Sequence, residues 1–318
     1  MSDNVAYMLP KEGNLYKTNL HCHTTVSDGK FTPEEIKKMY MERGYSAVAY
    51  TDHRVCKPHN ELTDGSFVAL TGVEIAFGIR QASSIHVCGI SRNPDKELLI
   101  ENEIKDDVEL VNNGIKELNR QDFITTLNHP RWSGMSAEVM SKIEGVSNME
   151  VANGFEMIQD GYGDSSACYE LELRRGRHAA PFATDDSHTA SAPGVPGYEY
   201  FRGFTVIKAK ELTYEALISA LDSGDYYAST GPILKNLRIE DGILYVECSA
   251  VSGVYVHGEL YSHRAALIKG DDCIEYAELN VEKILEGSSY LFVQIVDREG
   301  KRAWSAPYYI KGEDKSDV

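Results

Sequence analysis

Eight of the ten histidines in this 318-residue chain precede residue 190. Six of them, His21, His23, His53, His86, His129 and His188, are interleaved with the acids Asp28, Glu74 and Asp186. Neutral imidazoles and carboxylates together form the donor set of borderline divalent ions such as zinc, manganese or iron. Spacing sharpens the signal. His21 and His23 stand two apart on a β-like run, so both side chains face one side while Cys22 faces the other. Asp186 and His188 repeat that arrangement. His59, in a polar loop, and His178, after the run Arg174, Arg175 and Arg177, fall outside the pattern. Those arginines suit a helix end, where cations complement the dipole.

Distant donors need a scaffold that brings them to one place. The sequence alternates β-like runs with helical patterns. Strands are expected at Lys17–Leu20, Ser46–Thr51, Phe67–Glu74, Ser84–Ile90, Phe123–Asn128, Asn148–Asn153 and Ala179–Thr184. A helix begins at the N-cap Thr32, with Pro33 in its first turn and Glu35 closing a capping box, and stops at Gly44. Others are expected near Glu103–Leu118, Ala137–Ile143 and Ser166–Arg175. Such alternation implies parallel strands, and seven candidates favour a closed α/β barrel over an open sheet. His21 and His23 then close the first strand, His53 the second, Glu74 the third and His129 the fifth. His86 lies on the fourth, and Asp186 and His188 follow the seventh. In a parallel barrel all those ends share one face. Gly203–Ala209 with the helix Thr213–Asp222 reads as a last βα unit. Beyond it the pattern turns to period two. Leu237–Glu240, an Asp-Gly turn at 241–242 and Ile243–Cys248 read as a hairpin, as do Tyr290–Val296 and Tyr308–Ile310. Two domains are therefore expected, a barrel over 1–228 and a small all-β domain over 229–318, with Glu313–Val318 as a polar tail.

Composition narrows the function classes. At 42% hydrophobic and 25% charged residues the chain is a folding globular one. Its formal net charge of −17 argues against general nucleic-acid binding and against docking on anionic membranes. No apolar run is long enough for a membrane span, and no signal peptide is visible. Six scattered cysteines without a CxxC pair read as reduced, mostly buried thiols of a cytoplasmic protein.

The stretches HCHTTVSDG (21–29), TDH (51–53), GVE (72–74), HVCG (86–89), NHP (128–130) and TDDSH (184–188) together resemble the motifs of the polymerase-and-histidinol-phosphatase (PHP) family. The resemblance implies a distorted (β/α)7 barrel holding two or three divalent metal ions. It implies that His21, His23, Glu74 and Asp186 hold a first ion, and that Glu74 bridges to a second completed by His86 and His129. Asp28, His53 and His188 would hold a third. Asp52 and Asp185, beside these ligands, are expected to orient imidazoles from behind. VANG (151–154), the run 203–232 and RAWSAPYYI (302–310) are similar to a PHP subgroup that includes a carbaryl hydrolase, and place Asn153 among the substrate-binding candidates.

The expected reaction is hydrolysis of a small phosphorylated metabolite or nucleotide by a metal-activated hydroxide. Three divalent ions against Asp28, Glu74 and Asp186 leave a charge of roughly +3, suited to a phosphate monoester. Glu74 and His188 are the catalytic candidates within the centre. Arg131, directly after His129 and Pro130, is the candidate guanidinium for the phosphate. Hydrolysis of a neutral carbamate, ester or amide is the alternative, and a non-catalytic metal-stabilised binding module is a third reading.

Overall fold

The computed structural model describes residues 5–79, 82–99, 108–190, 197–259, 263–268 and 272–310. A short strand β1 (Val5–Tyr7) precedes β2 (Asn14–Asn19), and α1 (Pro33–Met41) leads to β3 (Ala47–Tyr50). The capping box between Thr32 and Glu35 forms, and α1 buries Ile36 and Tyr40. No helix follows β3. The small pair β4 (Val55–Cys56) and β7 (Leu98–Leu99) flanks β5 (Val68–Ile79) and β6 (Ala82–Ser91) instead. Then come α2 (Val108–Arg120), β8 (Phe123–Leu127), α3 (Ala137–Met140), β9 (Asn148–Asn153), α4 (Gly154–Gln159), α5 (Ser166–Arg174) and β10 (Ala180–Thr184). The expected start of the second helix, 103–107, lies outside the described residues, as does the tail 313–318.

Seven of these strands stand in the order β2-β3-β5-β6-β8-β9-β10. A parallel bridge between Cys22 and Ser187 joins the extensions of the first and last. Parallel ladders link β2 to β3, β3 to β5, β8 to β9 and β9 to β10. The expectation of seven parallel strands, each followed by a helix, fails at the fourth. β6 is antiparallel to both β5 and β8. Two residues separate β5 from β6, whereas a parallel return needs a crossover of about a dozen or more. Glu74 consequently lies in mid-strand, opposite Cys88, and not at a strand end.

β11 (Phe204–Ala209) and α6 (Tyr214–Ser223) form the expected last strand and helix, followed by β12 (Tyr226–Ser229), but the strand does not continue the parallel order. β11 pairs antiparallel with both β2 and β12. The cause is local. The Asp185 carboxylate, just past β10, accepts from the backbone N–H groups of Phe201, Arg202 and Gly203, so the chain enters β11 at the end where β10 stops.

The remaining strands are β13 (Leu234–Glu240), β14 (Ile243–Val251), β15 (Gly253–Gly258), β16 (His263–Leu267), β17 (Ile274–Asn280), β18 (Tyr290–Val296), β19 (Arg302–Ser305) and β20 (Tyr308–Tyr309), with α7 (Glu282–Gly287) between β17 and β18. The β13–β14 hairpin forms at its Asp-Gly turn, where both residues have positive φ, 48° and 76°. One sheet is β1-β13-β14-β17. The other runs from β12 through β19, β18 and β15 to β16, continuous through β11 with the seven strands above. Leu237, Leu244 and Val246 share an apolar core with Val254, Leu291 and Val293. All six cysteines are free, with Cys22, Cys56, Cys88 and Cys248 buried. Among the described residues no helix is long and apolar enough to cross a membrane.

Candidate metal centre

Past Asn19 the chain of β2 runs on through His21 and His23, both buried, while the Cys22 thiol turns away to Ser187 Oγ at 3.1 Å. The His21 Nε2 lies 3.2 Å from Glu74 Oε1 and 3.1 Å from Asp186 Oδ1. His23 Nε2 lies 3.2 Å from Glu74 Oε2 and 3.1 Å from the same Asp186 oxygen. The two imidazole nitrogens are themselves 3.1 Å apart. His21 Nε2, His23 Nε2 and Asp186 Oδ1, mutually 3.1 Å apart, are close enough for one ion to reach all three at about 2.0 Å, the bond length of zinc to nitrogen or oxygen.

Two further groups adjoin this one. His86 Nδ1 is 3.0 Å and His129 Nε2 3.7 Å from Glu74 Oε1. On the other side His53 Nδ1 is 3.1 Å from Glu74 Oε2. Asp28, exposed at the rim, has its carboxylate 3.8 Å from His53 Nε2 and 3.7 Å from His188 Nε2. All nine residues expected as ligands therefore converge, in groups able to hold an ion. Glu74 touches every group.

The residues present fit divalent cations. Glu74 Oε2 and Asp186 Oδ1 are buried without a hydrogen-bond partner among the described residues, a costly state for carboxylate oxygens unless a cation answers them. His129 and Asp186 also hold φ of 27° and 50°, a region that non-glycine residues adopt at an energetic cost and that concentrates at functional sites.

Several residues unread in the sequence build the surroundings. Glu150, inside β9, accepts from His21 Nδ1 at 2.7 Å, from the His129 backbone N–H at 3.0 Å and from Thr184 Oγ1 at 2.7 Å. A charge in a strand buried at every position (NMEVAN) was the available signal. Asn128 donates to Glu74 Oε1 at 2.7 Å, and Glu199 holds the His188 backbone N–H at 2.7 Å. Trp132 packs against the His129 and His86 rings, and Phe155 against His188.

Other expectations need correction. Asp52 orients no imidazole among the described residues. It takes the N–H and hydroxyl of both Thr24 and Ser27 and so braces the loop after His23. Asp185 likewise serves Tyr40 Oη and the 201–203 amides. Asn153 is fully buried and spent. Its Nδ2 donates to Glu150 and Asp186, and its Oδ1 caps α4, leaving nothing for a substrate. Arg131 is exposed, its guanidinium donating to the Asp164 carbonyl at 3.3 Å and lying 5.2 Å over the Tyr162 ring. His59 pairs with Glu61, and His178 stacks on Tyr309, both away from the cluster.

No protein-family model and no curated protein matches the sequence. Among solved structures, a two-domain protein from Bacteroides vulgatus containing a predicted PHP-like metal-dependent phosphoesterase superposes over 98% of this chain and 99% of its own, with a TM-score of 0.50 at 16% identity. The fold is PHP-like. A candidate metal-dependent phosphoesterase from Bifidobacterium adolescentis covers 59% of this chain and 93% of its own (TM-score 0.43, 14% identity). An amidohydrolase from Chromobacterium violaceum, solved with sulfate and no metal, covers 57% and 90% (TM-score 0.38, 16% identity).

Electrostatics divide this centre in two. Burial opposes charge on His21, yet Asp186, Cys88 and Glu74 outweigh it and hold the ring well above the ordinary imidazole range. His23, subject to the same burial, is raised to about 9 by Asp186 and Glu74. Burial prevails at the rim, lowering His53 to about 4 and His188 below its usual value. Glu74 stays well below the carboxylate range, since the surrounding imidazoles overcome its burial. Glu156 goes the other way, raised to about 9 by burial and by Asp186.

Gly29 explains the end of the motif that begins at His21. A Cβ there would lie 2.4 Å from both the carbonyl carbon and oxygen of His23 and 2.6 Å from Thr24 N. Backbone cannot yield as a side-chain tip can, so Gly29→Ala is expected to destabilise the fold by about 1–3 kcal/mol and to displace His23. Thermal melting with and without chelator, together with elemental analysis, checks both. Unchanged melting and metal content would show that the loop tolerates the methyl group.

Proposed function

We propose that this chain is a metal-dependent phosphoesterase acting on a small phosphorylated metabolite or nucleotide. The observation that carries the reading is the His21, His23, Glu74 and Asp186 cage, in which Glu74 Oε2 and Asp186 Oδ1 are buried with no hydrogen-bond partner among the described residues. The cage would hold one ion, Glu74 with His86 and His129 a second, and Asp28, His53 and His188 a third. When bound, such ions polarise a phosphoryl oxygen and lower the pKa of water. The chain's own groups supply position. Glu150 fixes the His21 ring, Asn128 and Asn153 orient Glu74 and Asp186, and Trp132 and Phe155 line the imidazoles with apolar surface that limits water. Counting Glu150 with Asp28, Glu74 and Asp186, three divalent ions leave a surplus of about +2, the charge that a phosphate dianion neutralises. The PHP-like phosphoesterase named in the Bacteroides vulgatus protein supports the reaction class.

One observation favours a second reading, hydrolysis of a neutral carbamate, ester or amide. The guanidinium expected to clamp phosphate is turned to the 162–164 loop, while aromatic rings flank the ligands. Turnover of p-nitrophenyl phosphate against a p-nitrophenyl ester by metal-loaded protein separates the two. Activity on neither would point to a binding module.

Arg131 gives a second discriminator. Its hydrogen bond to a neutral carbonyl is weaker than one to phosphate, so a phosphorylated substrate would draw it over. With a phosphate ester, Arg131→Ala is expected to cost about a hundredfold in kcat/KM, and Arg131→Lys to recover only part, lacking the planar fork. Unchanged phosphatase activity in Arg131→Ala would remove the residue from the site.

A further inference from the structure

Glu156 has no role in the nine-ligand centre, yet it faces it. It occupies the first turn of α4, is only 2% exposed, and its Oε2 has no hydrogen-bond partner among the described residues. An oxygen of Glu156, a ring nitrogen of His129 and an oxygen of Asp186 lie within 4.8 Å of one another. The nearby amide is committed elsewhere, because Asn153 Nδ2 goes to Glu150 and Asp186. Asn153 also fixes the helix start, its Oδ1 accepting from Glu156 N at 3.0 Å. Glu156 and Asp186 are thus held on one joint.

Asp186 is the junction between two positions. Its Oδ1 faces His21 and His23 at 3.1 Å, and its Oδ2 faces His129 at 3.7 Å. The group of Glu74, His86 and His129 offers three protein donors, fewer than manganese or iron, which favour oxygen-rich sets, usually collect. Glu156, grouped with His129 and Asp186 and carrying a buried oxygen without a hydrogen-bond partner among the described residues, offers a further carboxylate to such an ion.

We propose that Glu156 is a tenth ligand of the centre, joining His129 and Asp186 around a divalent ion. This rests on the metal-dependent reading above and extends it, assigning the centre a further, carboxylate-rich position suited to Mn²⁺ or Fe²⁺.

The test is a calorimetric titration of the metal-depleted full chain with Mn²⁺, with stoichiometry checked by elemental analysis, for wild type, Glu156→Gln and Glu156→Asp. Glu156→Gln is expected to lose one equivalent, or to bind one class of Mn²⁺ at least about tenfold more weakly, with its circular dichroism unchanged. Glu156→Asp, which keeps the charge on a shorter arm, should fall between. Coincident isotherms for wild type and Glu156→Gln would overturn the proposal. If the amide variant fails to fold, Glu156→Asp is judged by the same comparison. Wild-type protein that takes up no Mn²⁺ or Zn²⁺ would overturn the metal-dependent reading itself, a distinguishable failure.

Discussion

Glu74→Gln is expected to lose metal and to lower hydrolysis by about a hundred- to a thousandfold, more than the loss of any single histidine. The geometry explains why. Glu74 Oε1 lies within 3.2 Å of His21 and His86, and Oε2 within 3.2 Å of His23 and His53, so one carboxylate borders all three ligand groups. A histidine variant empties one corner of one group. The amide replaces an anion that offsets the mutual repulsion of neighbouring dications by a neutral group that offsets nothing. It also places an NH₂ donor against imidazole nitrogens. Elemental analysis and turnover of the same preparation decide it. A Glu74→Gln protein with full metal content and near-normal turnover would refute the bridging role.

Affinity for the first ion is expected to rise steeply with pH, while affinity at the rim stays nearly flat. In the metal-free protein His23 binds a proton up to about 9, and His21 is raised in the same direction. Loading the cage must expel the His23 proton, so affinity should rise by at least about tenfold per pH unit between pH 6 and 8. At the rim His53, lowered to about 4, is already neutral and releases nothing. Stability of the metal-free protein follows the same groups. A raised imidazole pKa stabilises the fold fully below the ordinary value near 6.5, and that contribution disappears as pH rises through about 9. Metal-free protein should therefore melt progressively lower on alkalinisation, and metal-loaded protein should not. Calorimetry in buffers of differing ionisation enthalpy counts the protons. Pure rim-like behaviour, with no proton released, would show that the cage is not preloaded with protons.

The convergent His, Asp and Glu cluster was legible because metal chemistry restricts residue type severely and strand periodicity restricts facing. His21, His23, Asp186 and His188 needed no more than that. Glu150 and Glu156 were less so, since a lone acid in a strand or helix is common and only burial reveals it. The roles expected of Asp52, Asp185 and Asn153 failed for a shared reason. Adjacency in sequence says which residues are near a ligand but not which way they face, and all three turn to backbone amides or helix caps. The reversal of β6 was hidden because β5 continues five residues past Glu74, and apolar runs do not reveal strand direction. Hairpins with a turn signature, such as the one at Asp241 and Gly242, were readable. A pairing between remote segments was not.

That remote pairing has a consequence for how the protein is made. Among the described residues β1 pairs with β13 alone, with Val5 opposite Glu240. At a ribosomal rate of about 5–20 residues per second, the partner emerges roughly 10–50 s after β1 does. During that interval Val5–Tyr7 is an unpaired edge, while the strands from β2 to β10 can already pair. That ladder therefore joins β1 to a strand made more than two hundred residues later, and any nascent chain stalled before β13 presents that edge to holdase chaperones or to its neighbours on the polysome.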